Sequence, residues 1–213
     1  GLAPGVVSRG YGGRTRTPLL VEGGRGDRAL TGDEPLPLSA QLRPCPVCVA
    51  ADRRQGVALL AQRGCDVVVA DDAFQHRRMG RDVDVVLVDA ACPWGNGRYF
   101  PAGLLREGVE GLARSHAVVL TKADQVLPEV LEDLERCLKS IVPAERIFRS
   151  RLAFGGWFRA RDGGWEPDGP DFSGGVLAFS AIGSPESFRR LLERQGVRLR
   201  GERIFRDHHP YSP

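Results

Sequence analysis

The chain has 213 residues, of which 42% are hydrophobic and 27% are charged, enough for one large α/β domain or for one domain with a smaller partner. The formal net charge of +3 is too small to indicate nucleic-acid binding, and no run of about 18 apolar residues exists that could span a bilayer. All but two of the 30 basic side chains are arginines, which suit phosphate recognition, although a biased genome composition would give the same excess.

The chain starts at Gly1 rather than at a methionine, and its last residues close no structural element, so we expect it to be a partial chain. Its cysteines are five in number and scattered, which does not indicate a disulfide framework and favours a reducing compartment. A lone C-x-x-C, Cys45 to Cys48, has no second pair at zinc-ligand spacing. We therefore interpret these two cysteines as small packing residues rather than as a metal or redox site.

Short apolar runs alternate with helix-compatible stretches along the chain. Continuous apolar runs are typical of strands that are buried on both faces, so the pattern predicts a mainly parallel sheet flanked by helices. The predicted strands are Gly5–Ser8, Pro46–Ala50, Cys65–Ala70, Val83–Val88, Ala117–Thr121 and Val176–Ser180. The predicted helices are Arg53–Arg63, Pro128–Ser140 and Pro185–Gln195. A glycine- and tryptophan-rich hairpin and linker follow Phe154, and we predict two domains, 1–147 and 148–213.

Two adjacent carboxylates, Asp71 and Asp72, follow the third predicted strand. An apolar strand that ends in acidic residues is typical of the element that holds Mg²⁺ beside nucleotide phosphates. The alternative is that one aspartate caps the following helix.

Two later strand ends, Thr121-Lys122-Ala123-Asp124 and Ser180-Ala181-Ile182-Gly183, are similar to base-side loops of nucleotide-binding proteins. Their order behind the acidic strand favours a P-loop NTPase-like α/β fold, although each could be an ordinary strand-to-helix turn. No G-x-x-x-x-G-K-[ST] motif is present. Because the phosphate loop follows the first strand of that fold, we expect it upstream of Gly1.

Four other clusters contain residues of the kinds that bind ligands or act in catalysis. Ser8 to Gly13 combines an arginine with bare backbone amides, which suits an anion, and Gly32 to Pro35 places two carboxylates ahead of a helix. A long glycine-punctuated loop runs from Gly95 to Glu107, and long loops of this kind are commonly functional. Asp207 precedes His208, which is either a carboxylate that orients a catalytic base or a surface turn.

Taken together, these clusters resemble the tetraacyldisaccharide 4′-kinase family, the lipid A kinases of Gram-negative bacteria. The matching segments run in family order across nearly the whole chain: 8–13, 32–35, 71–76, 95–98 with 101–107, 121–124 and 207–211. The resemblance implies a P-loop-type kinase core and a smaller C-terminal α/β domain. It also implies that the γ-phosphate of ATP, with Mg²⁺ as cofactor, is transferred to the 4′-hydroxyl of a tetraacylated disaccharide 1-phosphate. The expected location is the cytoplasmic face of the inner membrane, and no nucleic-acid partner is expected.

Individual roles follow from the same resemblance. It implies that Asp71 and Asp72 serve Mg²⁺ and the nucleotide, and that Asp33 is the base near the 4′-hydroxyl, assisted by His208. Arg9 would lie beside the sugar phosphates, and we expect the loop from Trp94 to Leu105 to contact acyl chains. The other implied site residues are Gln75, His76, Thr121 and Asp124 toward the nucleotide and Gly10, Tyr11, Glu34, Asn96 and Arg106 toward the glycolipid.

The sequence departs from the family pattern in two respects. The family's phosphate loop and its N-terminal membrane helix both precede the segment that begins here, so we expect these residues alone to bind ATP weakly and to transfer hardly any phosphate. Ala73 stands where the family has glycine, which restricts the backbone if that position needs a positive φ. Two other functions remain open: a GTPase- or ATPase-like regulator, and a catalytically inactive glycolipid-binding module.

Overall fold

The structure is a computed structural model, and it describes residues 1–161, 164–169, 171–207 and 209. The chain divides into two compact units, Gly1–Arg151 and Leu152–Pro213. The first unit contains two sheets with their helices, and the second contains a hairpin, a two-stranded parallel sheet and one helix.

The first sheet of the larger unit has the strand order β2-β3-β1-β4. Its central strand β1 pairs in parallel with β3 and β4, while β2 pairs antiparallel with β3. Parallel pairing places the carboxyl ends of β1, β3 and β4 at one edge of the sheet. The strands are β1 (Pro4–Ser8), β2 (Leu19–Val21), β3 (Val47–Val49) and β4 (Val67–Ala70).

Three helices accompany this sheet: α1 (Arg28–Thr31), α2 (Pro35–Gln41) and α3 (Arg53–Gln62). Asp52 caps α3, since its carboxylate accepts a hydrogen bond from the amide of Arg54 at 3.1 Å. Leu60 of α3 is fully buried against Val7 and Cys48. Cys48 is therefore a core residue, which agrees with its interpretation as a packing residue.

The second sheet is entirely parallel and has the order β5-β6-β7. Helix α4 (Pro128–Lys139) packs on it through leucines at helical spacing, Leu131, Leu134 and Leu138, which are buried with Val118 and Leu120. The strands are β5 (Val85–Asp89), β6 (Ala117–Thr121) and β7 (Ile147–Arg149). This α/β architecture with mainly parallel sheets and flanking helices confirms the predicted fold class.

One sequence-based expectation about these sheets is wrong. The continuous apolar runs predict that β4 and β5 are buried on both faces, but Val67, Val69, Val85 and Leu87 are exposed. The alternate residues of both strands pack against α3 or α4, so each helix covers one face of its sheet. An unbroken apolar run does not by itself reveal which face has a partner.

The smaller unit contains the antiparallel hairpin β8 (Trp157–Arg161) and β9 (Gly164–Asp168). The parallel pair β10 (Val176–Ser180) and β11 (Leu199–Ile204) packs with α5 (Pro185–Arg194) around Leu192 and Val197. Among the helices in the described part of the chain, none combines the length and apolar character that a membrane crossing requires.

Candidate functional site

The carboxyl ends of three parallel strands meet at one edge of the first sheet. Ser8 pairs with Val49, and Val7 pairs with Ala70. The residues that follow these strands therefore emerge side by side, as they do in α/β proteins that bind ligands at this edge. They are the glycine-rich segment after β1, the start of α3 after β3, and Asp71-Asp72 after β4.

Asp71 is fixed at this edge by two contacts with β1. Its backbone amide donates to the carbonyl of Val7 at 2.9 Å. The buried hydroxyl of Ser8 donates to Asp71 Oδ2 at 3.2 Å. The Asp71 residue remains exposed, so a carboxylate held by the sheet is presented to solvent at the place where a nucleotide-binding strand carries its acidic residue.

Asp72 has a left-handed backbone, with φ 47°. Its two carboxylate oxygens accept hydrogen bonds from Arg106 Nη1 at 2.9 and 2.7 Å. The positive φ falls on Asp72 and not on Ala73, which is buried. The alanine that replaces the family's glycine therefore meets no left-handed strain in this turn.

Arg53, the first residue of α3, is a site residue that the sequence analysis missed. It is only 5% exposed, and its Nη2 donates to the carbonyl oxygen of Asp72 at 3.2 Å. Its Nε is buried and has no hydrogen-bond partner among the described residues. A buried guanidinium with an unused donor is costly to the fold, and an anion close to it would offset part of that cost.

The charge around Arg53 is mixed. Burial lowers the pKa of its guanidinium, and the positive charges of Arg9 and Arg106 lower it further, while Asp72 and Asp71 act in the opposite direction. Three arginines and two aspartates thus interact electrostatically at one sheet edge. The signal available in the sequence was position alone, because Arg53 lies four residues after the end of β3 and begins the helix that follows that strand.

Asp33 is positioned by backbone packing between two glycine-containing segments. Gly32 has φ 79° and ψ 179°, and a Cβ there would lie 2.3 Å from the carbonyl oxygen of Tyr11. A Cβ on Gly10 would lie 2.6 Å from the carbonyl oxygen of Thr31. The absence of side chains allows the loop after β1 to lie directly against the turn that carries Asp33.

The Asp33 carboxylate is half-buried and accepts a hydrogen bond from Arg28 Nη2 at 3.5 Å. The structure therefore associates the predicted base with the predicted anion-binding segment, Ser8 to Gly13, through main-chain contact.

A third group surrounds Glu107. Its carboxylate accepts hydrogen bonds from Gln75 Nε2 at 3.1 Å, from Arg77 at 3.4 Å and from Arg114 at 3.0 Å. The contact with Arg114, followed by those with Gln75 and Arg77, lowers the pKa of Glu107 despite partial burial. His76 Nε2 lies 4.0 Å from Asp52 Oδ1. Gln75 and His76 are therefore held beside the same turn as Asp72.

The residues of the second sheet that are predicted to contact the nucleotide follow the ends of β5 and β6, which pair Asp89 with Thr121. Lys122 has φ 56°, and its Nζ lies 2.5 Å from Asp89 Oδ2. Thr121 donates to the carbonyl of Val88 at 3.4 Å, and Asp124 is exposed in the short helical turn that follows.

The other predicted residues occupy diverse positions. Tyr11 is exposed, and Glu34 precedes α2 without a side-chain capping bond. Asn96 uses its amide inside the 95–107 loop, where Nδ2 donates to Ala102 and Oδ1 accepts from Arg98. Asp207 belongs to the smaller unit, whereas the predicted catalytic His208 lies outside the described residues.

The donor set at the sheet edge fits Mg²⁺ better than a transition metal. Among the described residues, no group of three or more His, Cys, Asp or Glu side chains could enclose a metal. Mg²⁺ commonly takes one or two protein carboxylates and obtains its remaining oxygen ligands from water and phosphate. Asp71 and Asp72 are the two carboxylates at this edge that such an arrangement would use.

Comparison with known proteins gives consistent matches. The family model for tetraacyldisaccharide-1-P 4′-kinase (LpxK) matches residues 1–213. Tetraacyldisaccharide 4′-kinases of Bradyrhizobium diazoefficiens and Chlorobaculum tepidum are each 38% identical across the whole chain, and that of Aromatoleum aromaticum is 39% identical. The chain spans 58%, 61% and 60% of these relatives, respectively, or about three-fifths of their length.

A solved structure shares the fold. The crystal structure of LpxK from Aquifex aeolicus in complex with ATP is 24% identical, with a TM-score of 0.66 over 100% of this chain and 65% of that one. This likeness confirms the predicted P-loop NTPase-like fold class.

Proposed function

Since the chain belongs to the tetraacyldisaccharide-1-P 4′-kinase family, we propose that its protein transfers the γ-phosphate of ATP to the 4′-hydroxyl of a tetraacylated glucosamine disaccharide 1-phosphate, a lipid A precursor. The observation that carries this proposal is the gathering of Asp71, Asp72, Arg53 and Arg106 at one sheet edge. Carboxylates for a metal and guanidiniums for phosphate oxygens are the groups that phosphoryl transfer requires.

On the nucleotide side, Asp71 and Asp72 would hold Mg²⁺, which supplies charge neutralisation at phosphate oxygens when it is bound. Arg53 would supply positive charge to the phosphates. Its burial strengthens that interaction, because charges attract more strongly in a medium of low dielectric constant. Thr121 and Asp124 stay predicted contacts of the nucleotide.

On the acceptor side, Asp33 would take the proton of the 4′-hydroxyl as that oxygen attacks the γ-phosphorus. The new oxygen–phosphorus bond forms while the bond from the γ-phosphorus to the β,γ-bridging oxygen breaks, so ADP leaves and the proton resides on the carboxylate. The backbone packing at Gly32 fixes the position of this carboxylate, which is how an enzyme gains from orientation. The role of His208 as the partner of Asp33 stays a prediction.

The glycolipid would be recognised by polar groups of the loops around Asp33 and Asp72. Arg9 and the backbone of Gly10 and Tyr11 suit the sugar phosphate, and Glu34 suits sugar hydroxyls. Because this substrate is a lipid, we place the protein at the cytoplasmic face of the bacterial inner membrane.

The direct test is a transfer assay with the full-length protein, γ-labelled ATP, Mg²⁺ and tetraacyldisaccharide 1-phosphate. We expect label in the glycolipid, and none when the acceptor already carries a 4′-phosphate. Hydrolysis of GTP in preference to ATP, without glycolipid labelling, would replace the proposal with a regulatory NTPase. Glycolipid binding without transfer would replace it with a binding module.

A further inference from the structure

We propose that Tyr99, Phe100 and Leu104, which project from the 95–107 loop, insert into the interfacial layer of an anionic phospholipid bilayer. Phe100 and Leu104 are each 78% exposed and Tyr99 is 58% exposed. Large apolar side chains are exposed elsewhere on the described surface as well, but these three lie together on one loop, outside the helices and strands and beside exposed arginines. The inference rests on the proposed function only in taking a membrane as the place where the protein works.

The loop holds these side chains outward by internal hydrogen bonds. The amide of Phe100 donates to the carbonyl of Leu105 at 2.8 Å, and the amide of Leu105 donates to the carbonyl of Arg98 at 3.2 Å. The Asn96 side chain joins the two limbs through Ala102 at 2.9 Å. Preorganisation of this kind reduces the conformational entropy that is lost when the side chains are buried in another phase.

Both ends of the loop are anchored to the larger unit. Before the loop, Trp94 packs against the core of the second sheet. At its end, Arg106 contacts Asp72 and Glu107 contacts Gln75. A bilayer that receives the apolar tip would therefore lie within one loop length of the candidate site, where a lipid-borne sugar must be presented.

The surrounding charge favours a bilayer over a protein partner. Arg98 lies within the loop and is exposed, and Arg77, which reaches Glu107, and Arg78 are exposed beside its end. Aromatic side chains flanked by arginines are the composition of membrane–water interfaces, where the rings occupy the headgroup region and the cations attract anionic lipid. Side chains that project singly from a loop tip enter a fluid layer more readily than they form the flat, closely packed contact of a protein interface.

The first experiment measures co-flotation of the full-length protein with vesicles of phosphatidylcholine and 30 mol% phosphatidylglycerol, without ATP or glycolipid. We expect the double variant Phe100→Ser/Leu104→Ser to partition at least tenfold more weakly than the unaltered chain. The control is Leu177→Ser, which removes a residue of equal exposure, 78%, in the smaller unit and should leave partitioning unchanged. Equal partitioning of the double variant and the unaltered chain would overturn the proposal.

A second measurement distinguishes insertion from self-association. Phe100→Trp should show a blue-shifted emission that brominated phospholipids quench, whereas Phe148→Trp, at an exposed position on β7, should not respond. Concentration-dependent dimers that the double variant abolishes, without quenching of the Phe100→Trp emission, would refute the proposal in favour of a second copy of the chain. The vesicle experiments contain no substrate, so failure of the transfer assay would contradict the proposed function but not the membrane contact. Failure of vesicle binding would contradict the membrane contact but not the proposed function.

Discussion

Arg106 and Asp72 are 34 residues apart in the sequence, yet one guanidinium nitrogen lies 2.7 and 2.9 Å from the two carboxylate oxygens. Both side chains are about half exposed. An ion pair with this exposure contributes about 0–1 kcal/mol to folding. The contact therefore matters more for aligning the 95–107 loop with the sheet edge than for holding the fold together.

The first prediction follows from the small contribution of this ion pair to the stability of the fold. Arg106→Gln should lower the transfer rate of the full-length protein on the order of 10²-fold, because the 95–107 loop loses its alignment with the sheet edge, while the melting temperature changes little. The control Arg136→Gln removes a comparably exposed ion pair with Asp133 on α4 and should affect neither quantity. A large fall in melting temperature for Arg106→Gln alone would assign the pair a structural role.

Arg53 allows a test in which stability and activity change in opposite directions. A buried cation with an unused donor opposes folding, and an apolar side chain of similar size removes that penalty. Arg53→Met should therefore leave the melting temperature unchanged or raise it, while kcat/KM for ATP falls at least tenfold. Arg63→Met, an exposed arginine just after the same helix, is the control. Loss of stability and activity together would show that Arg53 serves the fold alone.

Much of the fold could be predicted from periodicity, and the failures have physical causes. The leucines of α4 and the apolar runs of β1 and β6 carry strong periodic signals. The strands β2 and β7 have three residues each, too few to show a period. The strand β11 reads Leu-Arg-Gly-Glu-Arg-Ile, whose polar residues conceal its parallel pairing with β10.

The candidate site was predictable where a residue follows a strand within a recognisable motif, as Asp71 does. The sequence does not single out Arg53, because an arginine at the start of a helix is ordinarily solvated. Only the tertiary packing of this chain buries Arg53. The packing of Gly32 against Tyr11 is likewise a relationship between distant segments. The role of Asn96 inside its own loop depends on a turn that joins positions 96 and 102, which the sequence alone does not define.

Substitution of the proposed base tests the chemistry directly. Asp33→Asn in the full-length protein keeps the shape and removes the proton acceptor, so kcat should fall by about 10²- to 10⁴-fold while the Kd for ATP stays unchanged. Asp27→Asn is a matched control, because Asp27 caps α1 through the amide of Ala29 at 2.8 Å and asparagine caps equally well. Parallel loss of ATP binding in Asp33→Asn would indicate folding damage instead.

Alanine substitutions of Gly12 and Gly32 distinguish the cost of backbone strain from the cost of steric overlap. Gly12 has φ 77° with open space around its absent Cβ, whereas a Cβ on Gly32 would overlap the Tyr11 carbonyl. Gly12→Ala should cost about 1 kcal/mol of unfolding free energy from its left-handed backbone. Gly32→Ala should cost at least about 3 kcal/mol, since overlap is added to a conformation that is nearly exclusive to glycine. Urea unfolding of the two variants measures the difference, and equal losses would contradict close packing of the two segments.

Asp52 gives a prediction about pH. Its hydrogen bonds with Arg54 lower its pKa to about 2, compared with about 3.9 for an unfolded aspartate. Because the folded state binds the proton less tightly, the charged cap stabilises the fold above about pH 4, and that contribution is lost as the pH falls toward 2.

Asp52→Asn retains a capping side chain but does not titrate in this range. The melting-temperature advantage of the unaltered chain over Asp52→Asn should therefore be fully present at pH 5 and shrink between pH 4 and 2. A difference that does not vary with pH would show that the cap acts through its hydrogen bond to the Arg54 amide and not through its charge.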